Sequence, residues 1–174
     1  MTVRQILTEP NKILRQKSLL VNEVNQDLQN LMDDMLETMY AAPGIGLAAI
    51  QIGIPKRVIV IDLSGKDDPR KPMFFVNPEV INKSDHNSIY EEGCLSVPGQ
   101  FAEIHRPDKC HLKYLDYYGE RKEIKAEGML ATCIQHEIDH LEGILFIDYL
   151  SKLKKTMIVK KLSKQKKELE RIVV

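Results

Sequence analysis

Gln135-His136-Glu137-Ile138-Asp139-His140-Leu141-Glu142-Gly143 is the stretch on which the reading of this chain turns. It falls in a helix expected over about 129–142, with Gly143 as its C-terminal stop. On a helix, positions i and i+4 share a face, so His136 and His140 can bind one metal ion. Glu137 lies about 100° round the helix from His136, near enough to reach a water on that metal without being a ligand. Two neutral nitrogen donors beside a carboxylate base form the layout that metal-assisted hydrolysis needs. On an ideal wheel Met129, Thr132, Cys133 and His140 fall within about 60° of His136. Leu130, Ile134, Ile138 and Leu141 cluster opposite, and Gln135, Asp139 and Glu142 make a polar sector. One face looks at a core, one at a site and one at polar surroundings. HExxH also arises by chance, and the competing reading is two surface histidines.

A metal that keeps one position open for water needs a third protein ligand. The peptidase pattern HExxHxxGxxH holds as far as Gly143, but its third histidine position is Phe146, which cannot ligate. Glu168 and Glu170 lie among Lys164, Lys166, Lys167 and Arg171 and read as solvated ion-pair partners. The upstream donors are His86, Cys94, His105, Cys110 and His111. Cys94 stands out, because Gly93 before it and Pro98 after it mark an irregular stretch where backbone groups can face a substrate. Cys110 and Cys133 sit in ordinary strand and helix patterns and read as small buried hydrophobes.

The remaining pattern suggests one α+β domain. Asn25 is a candidate N-cap for a helix over about 26–40, whose stripe Leu28, Leu31, Met32, Met35, Leu36 and Met39 reads as core. Strands are expected over 57–63, over 73–76 and 79–82 with an interruption at Asn77-Pro78, over 110–118, and over 121–126 after a turn at Gly119-Glu120. A last helix is expected over about 151–171. With 174 residues the chain is long enough for a substantial core. Without an apolar run of membrane-spanning length or an apolar signal core near the N-terminus, the expected location is the cytoplasm. Three cysteines in such a chain argue against a disulfide framework.

Gly44-Ile45-Gly46-Leu47-Ala48-Ala49 imitates a dinucleotide fingerprint, but it follows a helix, and only eight residues separate Ala49 from Val58. A nucleotide cofactor is therefore not expected. Two close glycines instead allow a ligand backbone to approach and pair. Gln51 follows, with a carboxamide that can donate to a developing oxyanion.

Taken together, Gly44–Gln51, Glu92-Gly93-Cys94-Leu95-Ser96 and Gln135–His140 resemble the three motifs of peptide deformylases, in that family's order and spacing. The likeness runs from Ile6-Leu7 to the region of Asp148. The resemblance implies an α+β fold with mixed and antiparallel sheets around a central HExxH helix, followed by a C-terminal helix. It implies that Cys94, His136 and His140 bind one divalent metal, Fe²⁺ in the cell, with Zn²⁺, Ni²⁺ or Co²⁺ able to replace it. Glu137 would be the general base, and Gln51 with the Leu95 N–H the oxyanion hole. Gly44, Ile45, Gly46, Tyr90, Leu95, Glu92, Gly93, Met129 and Cys133 would form the substrate site for an N-formyl-methionyl nascent peptide. Glu92 and Arg106 are expected to pair and brace the Cys94 segment.

The 25 basic and 25 acidic residues sum to zero, but unevenly. Residues 151–174 carry nine Lys/Arg and two Glu, a net of +7, so the 150 before them carry −7. Residues 1–150 are read as the catalytic part and 151–174 as a basic amphipathic helix of the same domain. Leu150, Leu153, Met157, Ile158, Leu162, Leu169 and Ile172 recur at near-helical spacing on it. The plain reading is a helix packed by one face. The sharper one is ribosome docking, as the resemblance implies. Two rival functions are an HExxH endopeptidase with another third ligand, and a non-enzymatic metal-sensing or ribosome-associated protein.

Overall fold

The computed structural model describes residues 2–172, and the side chains of residues 2–171. Residues 173–174 of the expected tail, and the side chain of Ile172, lie outside that description.

Helix α1 (Gln26–Ala41) starts where the Asn25 side chain accepts the Leu28 N–H at 3.0 Å. Its Leu28, Met32, Met35 and Met39 are buried, which makes the methionine stripe core. Strand β1 (Gly46–Ala48) pairs antiparallel with β2 (Val58–Ile61), and β2 with β3 (Met73–Lys83). Further on, β6 (Lys109–Leu115) pairs with β3 and with β7 (Arg121–Glu127), giving a five-stranded antiparallel sheet ordered β1-β2-β3-β6-β7. The run 57–63 lacks polar alternation because β2 is buried on both faces. Val58 and Val60 pack into the α1 cluster, while Ile59 and Ile61 face α2 (Gly128–Leu141).

Two expectations change. The Asn77-Pro78 interruption does not end a strand: β3 runs through it with a register shift. Asn77 takes a left-handed conformation at φ 51° and exchanges hydrogen bonds with the Val21 backbone at 2.9 and 2.8 Å, which anchors the bulge. The stretch around Cys94 is irregular only locally, with a register shift between Gly93 and Cys94 and a turn at Leu95-Ser96, and it lies inside strands that were not expected. It is the tip of a hairpin of β4 (Asn87–Cys94) and β5 (Val97–Pro107), which form a second, two-stranded sheet. Half-exposed, polar strands with glycines inside them hid this hairpin from a periodicity reading. Among the described residues parallel pairing is one isolated bridge, Leu19 with Lys56, and both sheets are antiparallel.

After α2, Gly143 turns the chain at φ 75°, and a Cβ there would run into the Arg15 backbone. A 3₁₀ turn (Phe146–Tyr149) leads to α3 (Lys152–Ile172). Leu162 of α3 is buried with Val97, Ile104, Leu145, Phe146 and Ile147. No helix among the described residues is long and apolar enough to cross a membrane.

Candidate active site

The hairpin tip and α2 bring three donors together. One ligand atom each from Cys94, His136 and His140 lie within 4.8 Å of one another, with Cys94 Sγ 3.3 Å from His140 Nε2. This is the sole such group among the described residues, so His86, His105, Cys110, His111, Glu168 and Glu170 stay outside it. Cys110 is core, and His111 pairs with Glu123 at 3.0 Å. His136 Nδ1 is held by Glu92 Oε2 at 2.9 Å, which leaves Nε2 as the nitrogen available to the group. A hydrogen bond from a ligating imidazole to a carboxylate is what a metal centre requires to orient the ring.

These residues fit a cation. A thiolate and two imidazoles suit a borderline-soft divalent ion. Glu137 Oε2, beside them on α2, is buried and has no hydrogen-bond partner among the described residues. Burial pushes the Glu137 carboxyl up to about 7. Burial opposes charge on His136, yet hydrogen bonds to Cys94 and Glu92 hold its pKa well above the ordinary value. Burial and the charge on His136 push His140 well below it. Glu92 stays ionised: burial opposes this, but His136 and Arg106 outweigh it. Gly46 packs against Glu137, where a Cβ would strike Oε1. The glycine thus clears room for the carboxylate as well as for a ligand.

Gln51 is fixed in orientation. Its Oε1 accepts the Ala48 N–H at 2.8 Å, so Nε2 points to the hairpin tip, 3.0 Å from Ser96 Oγ and 3.6 Å from Cys94 Sγ. The second contact is long, and that hydrogen is the one free to turn to a ligand.

A cavity of about 490 Å³ opens beside the group. It is bordered by Gly44, Ile45, Gly46, Gln51, Tyr90, Glu92, Gly93, Cys94, Leu95, Met129, Cys133, His136 and Glu137, so every residue expected at the site except His140 lines it. Glu92 borders it while its carboxylate is turned to Arg106 and His136. The Glu92–Arg106 pair is present, with Arg106 Nε at 2.6 Å. The pair reaches His136 through Glu92 Oε2 at 2.9 Å and Asp139 through Arg106 Nη1 at 2.7 Å, so it braces α2 as well as the Cys94 segment. Phe101, Val97 and Thr132 also line the cavity, and of these only Thr132 is signalled in the sequence, by its place on the site-facing side of the wheel. Phe101 sits on β5, the missed strand. Ile45, Met129 and Phe101 leave large apolar surfaces exposed at the rim.

An α+β fold wrapped on an HExxH helix, with a Cys/His/His group under an apolar cavity, is the arrangement of a metal-dependent hydrolase. Residues 3–156 match the polypeptide deformylase family. A peptide deformylase of Pelagibacter ubique is 66% identical over 174 residues, covering 100% of both chains. The crystal structure of peptide deformylase from Ehrlichia chaffeensis superposes with a TM-score of 0.91 at 42% identity, covering 96% of this chain and 98% of that one. The Met-Ala-Ser-bound crystal structure of a class I type b peptide deformylase from Acinetobacter baumannii superposes with a TM-score of 0.80 at 36% identity, covering 86% and 99%. The chain belongs to the polypeptide deformylase family and is an enzyme.

Proposed function

We propose that this enzyme removes the formyl group from the N-formyl-methionyl end of nascent polypeptides and releases formate. The observation that carries the reading is the convergence of Cys94, His136 and His140 at the base of an apolar cavity, with buried Glu137 beside them. Cys94, His136 and His140 would hold one divalent ion, which when bound would supply Lewis acidity toward the formyl oxygen and toward a water. Fe²⁺ is the ion proposed for the cell, and Zn²⁺, Ni²⁺ or Co²⁺ suit the same donors.

Glu137 takes a proton from the attacking water. A cation held beside it would oppose the burial that raises its pKa and favour the ionised carboxylate that accepts the proton. Gln51 Nε2 gives up its long contact to sulfur and, with the Leu95 N–H, donates to the oxygen of the tetrahedral centre. Glu137 returns the proton to the amide nitrogen as the C–N bond breaks, leaving formate and a free amine. Ile45, Tyr90, Leu95, Met129 and Cys133 enclose the methionine side chain, and Gly44, Gly46 and Gly93 let its backbone approach. The Met-Ala-Ser-bound relative supports a methionyl N-terminus as what this cavity receives.

The enzyme acts in the cytoplasm, where nascent chains are made. Residues 1–150 are the catalytic part, and 151–174 belong to the same domain, a reading supported by Leu162 of α3 in a core shared with β5. The lysines of α3 offer a docking face for the ribosome, and such binding weakens with salt. Release of formate from formyl-Met-Ala-Ser, against acetyl-Met-Ala-Ser, by Fe²⁺-, Co²⁺- or Ni²⁺-loaded enzyme tests the activity. Formate from the first with no cleavage of the second is expected. No release with any of the three ions overturns it.

A further inference from the structure

Behind His136 runs a buried chain of polar groups that the proposed reaction does not touch. Glu92 Oε2 holds His136 Nδ1 at 2.9 Å. Arg106 grips both oxygens of Glu92, with Nε at 2.6 Å and Nη2 at 3.0 Å. Its remaining nitrogen, Nη1, donates to Asp139 Oδ2 at 2.7 Å. The Tyr149 hydroxyl donates to the same Asp139 oxygen at 2.8 Å. The Tyr149 ring also lies 5.0 Å from the Arg106 Cζ, so one side chain contacts both members of the Arg106–Asp139 pair. The chain crosses β4, β5, α2 and the 3₁₀ turn. Glu92 and Arg106 are only 6% and 4% exposed, while Tyr149, at 51%, is its one surface end.

A planar guanidinium between two carboxylates has its direction set by both. Glu92 is locked by burial. Asp139 is on the wetter side, where water can compete for its oxygens and let it swing away. A phenol on Oδ2 removes that freedom. Like any phenol it is a donor at neutral pH, and burial and Asp139 push its pKa further up, to about 12. We propose that Tyr149 is a positioning residue for the Cys94/His136/His140 group. It holds Asp139 on Arg106, which holds Glu92 on His136 and keeps that imidazole turned toward Cys94 and His140. The proposal rests on the metal-centre reading above.

Co²⁺ affinity of the full chain, measured by competition with a chelator, tests it. The proteins are wild type, Tyr149→Phe, Asp139→Asn, the double variant and Cys94→Ala. Phenylalanine keeps the ring and loses only the hydroxyl. Partners hydrogen-bonded directly to ligands are worth roughly ten- to hundredfold in metal affinity, so Tyr149→Phe, further out, should weaken Co²⁺ by about three- to tenfold. Asp139→Asn should weaken it about tenfold, and Tyr149→Phe should add less than about twofold in that background, since both act through one path. The Co²⁺–thiolate absorption band should change in both single variants, with the metal-free Tm within about 2 °C of wild type. Affinity for Tyr149→Phe within twofold of wild type, or losses that multiply in the double variant, overturn the proposal. A fall in Tm with unchanged affinity also overturns it, and leaves Tyr149 a packing residue. If wild type binds no Co²⁺, or Cys94→Ala binds it equally well, the metal-centre reading falls and takes this proposal with it.

Discussion

Helix α2 has nine buried residues, five of them polar: Thr132, Gln135, His136, Glu137 and His140. Helix α3 is longer by a turn and a half or more, yet among residues 152–171 only Leu162 is buried. Both read as amphipathic from sequence. The difference lies in what each does with its polar side. A buried polar group costs free energy unless it is hydrogen-bonded or in use, so a helix that buries five carries a site. The polar side of α3 stays largely in water, and its attachment rests on an apolar seam with the 3₁₀ turn and β5 and on the Lys155–Asp148 ion pair at 2.6 Å.

The contrast breaks first at the donor set. Cys94→Ala leaves two protein ligands, so bound metal and formate release should both collapse, the latter by roughly a thousandfold or more. Metal analysis beside turnover checks this. Arg106→Ala comes next, because it strands Glu92 and Asp139 without their counter-charge. Breaking a buried pair in this way costs about 3–5 kcal/mol, readable by urea unfolding, and a loss under about 1 kcal/mol would mean that α2's polar sector is solvated after all. On the α3 side, Leu162→Ala should cost about 2–3 kcal/mol, whereas Lys164→Ala, in an exposed 3.9 Å pair with Glu168, should stay within about 0.5 kcal/mol.

The smallest effect is a pH dependence. Burial would raise the Asp148 pKa, but Lys155, the Leu145 N–H and Arg15 outweigh it and hold it below 3.8. A carboxyl whose folded pKa is depressed adds stability above its unfolded pKa and loses it as pH falls through the folded one. Wild type should therefore lose stability on acidification below pH 3.8 more steeply than Asp148→Asn, whose curve lacks that contribution. Equal slopes in Tm against pH would show that the Lys155 contact, the salt link from α3 to the turn, is idle.

The parts legible in sequence were those written locally. The i,i+4 histidines, the methionine stripe of α1, the Asn25 cap and the turn at Gly119 each depend on residues a few places apart. The hairpin of β4 and β5 was not, because its strands are half-exposed, and Gly93, Pro98 and Gly99 punctuate them like a loop. The path from His136 through Glu92 and Arg106 to Asp139 and Tyr149 was legible only in its Glu92–Arg106 pair. Asp139 stood only in the polar sector of its helix and Tyr149 carried no local signal, and only the fold brings β5 across α2 to meet them. Gln51 was found as a donor, but its orientation, set by the Ala48 N–H, was not.

The central claim is that buried Glu137 moves the proton while Cys94, His136 and His140 hold the metal. Formate release from formyl-Met-Ala-Ser by Glu137→Ala, with one equivalent of Co²⁺ verified on the protein, tests it most directly. The account predicts full metal occupancy and a loss of at least about a hundred- to ten-thousandfold in turnover, the range a general acid–base contributes. Turnover within tenfold of wild type in the metal-loaded variant would contradict it.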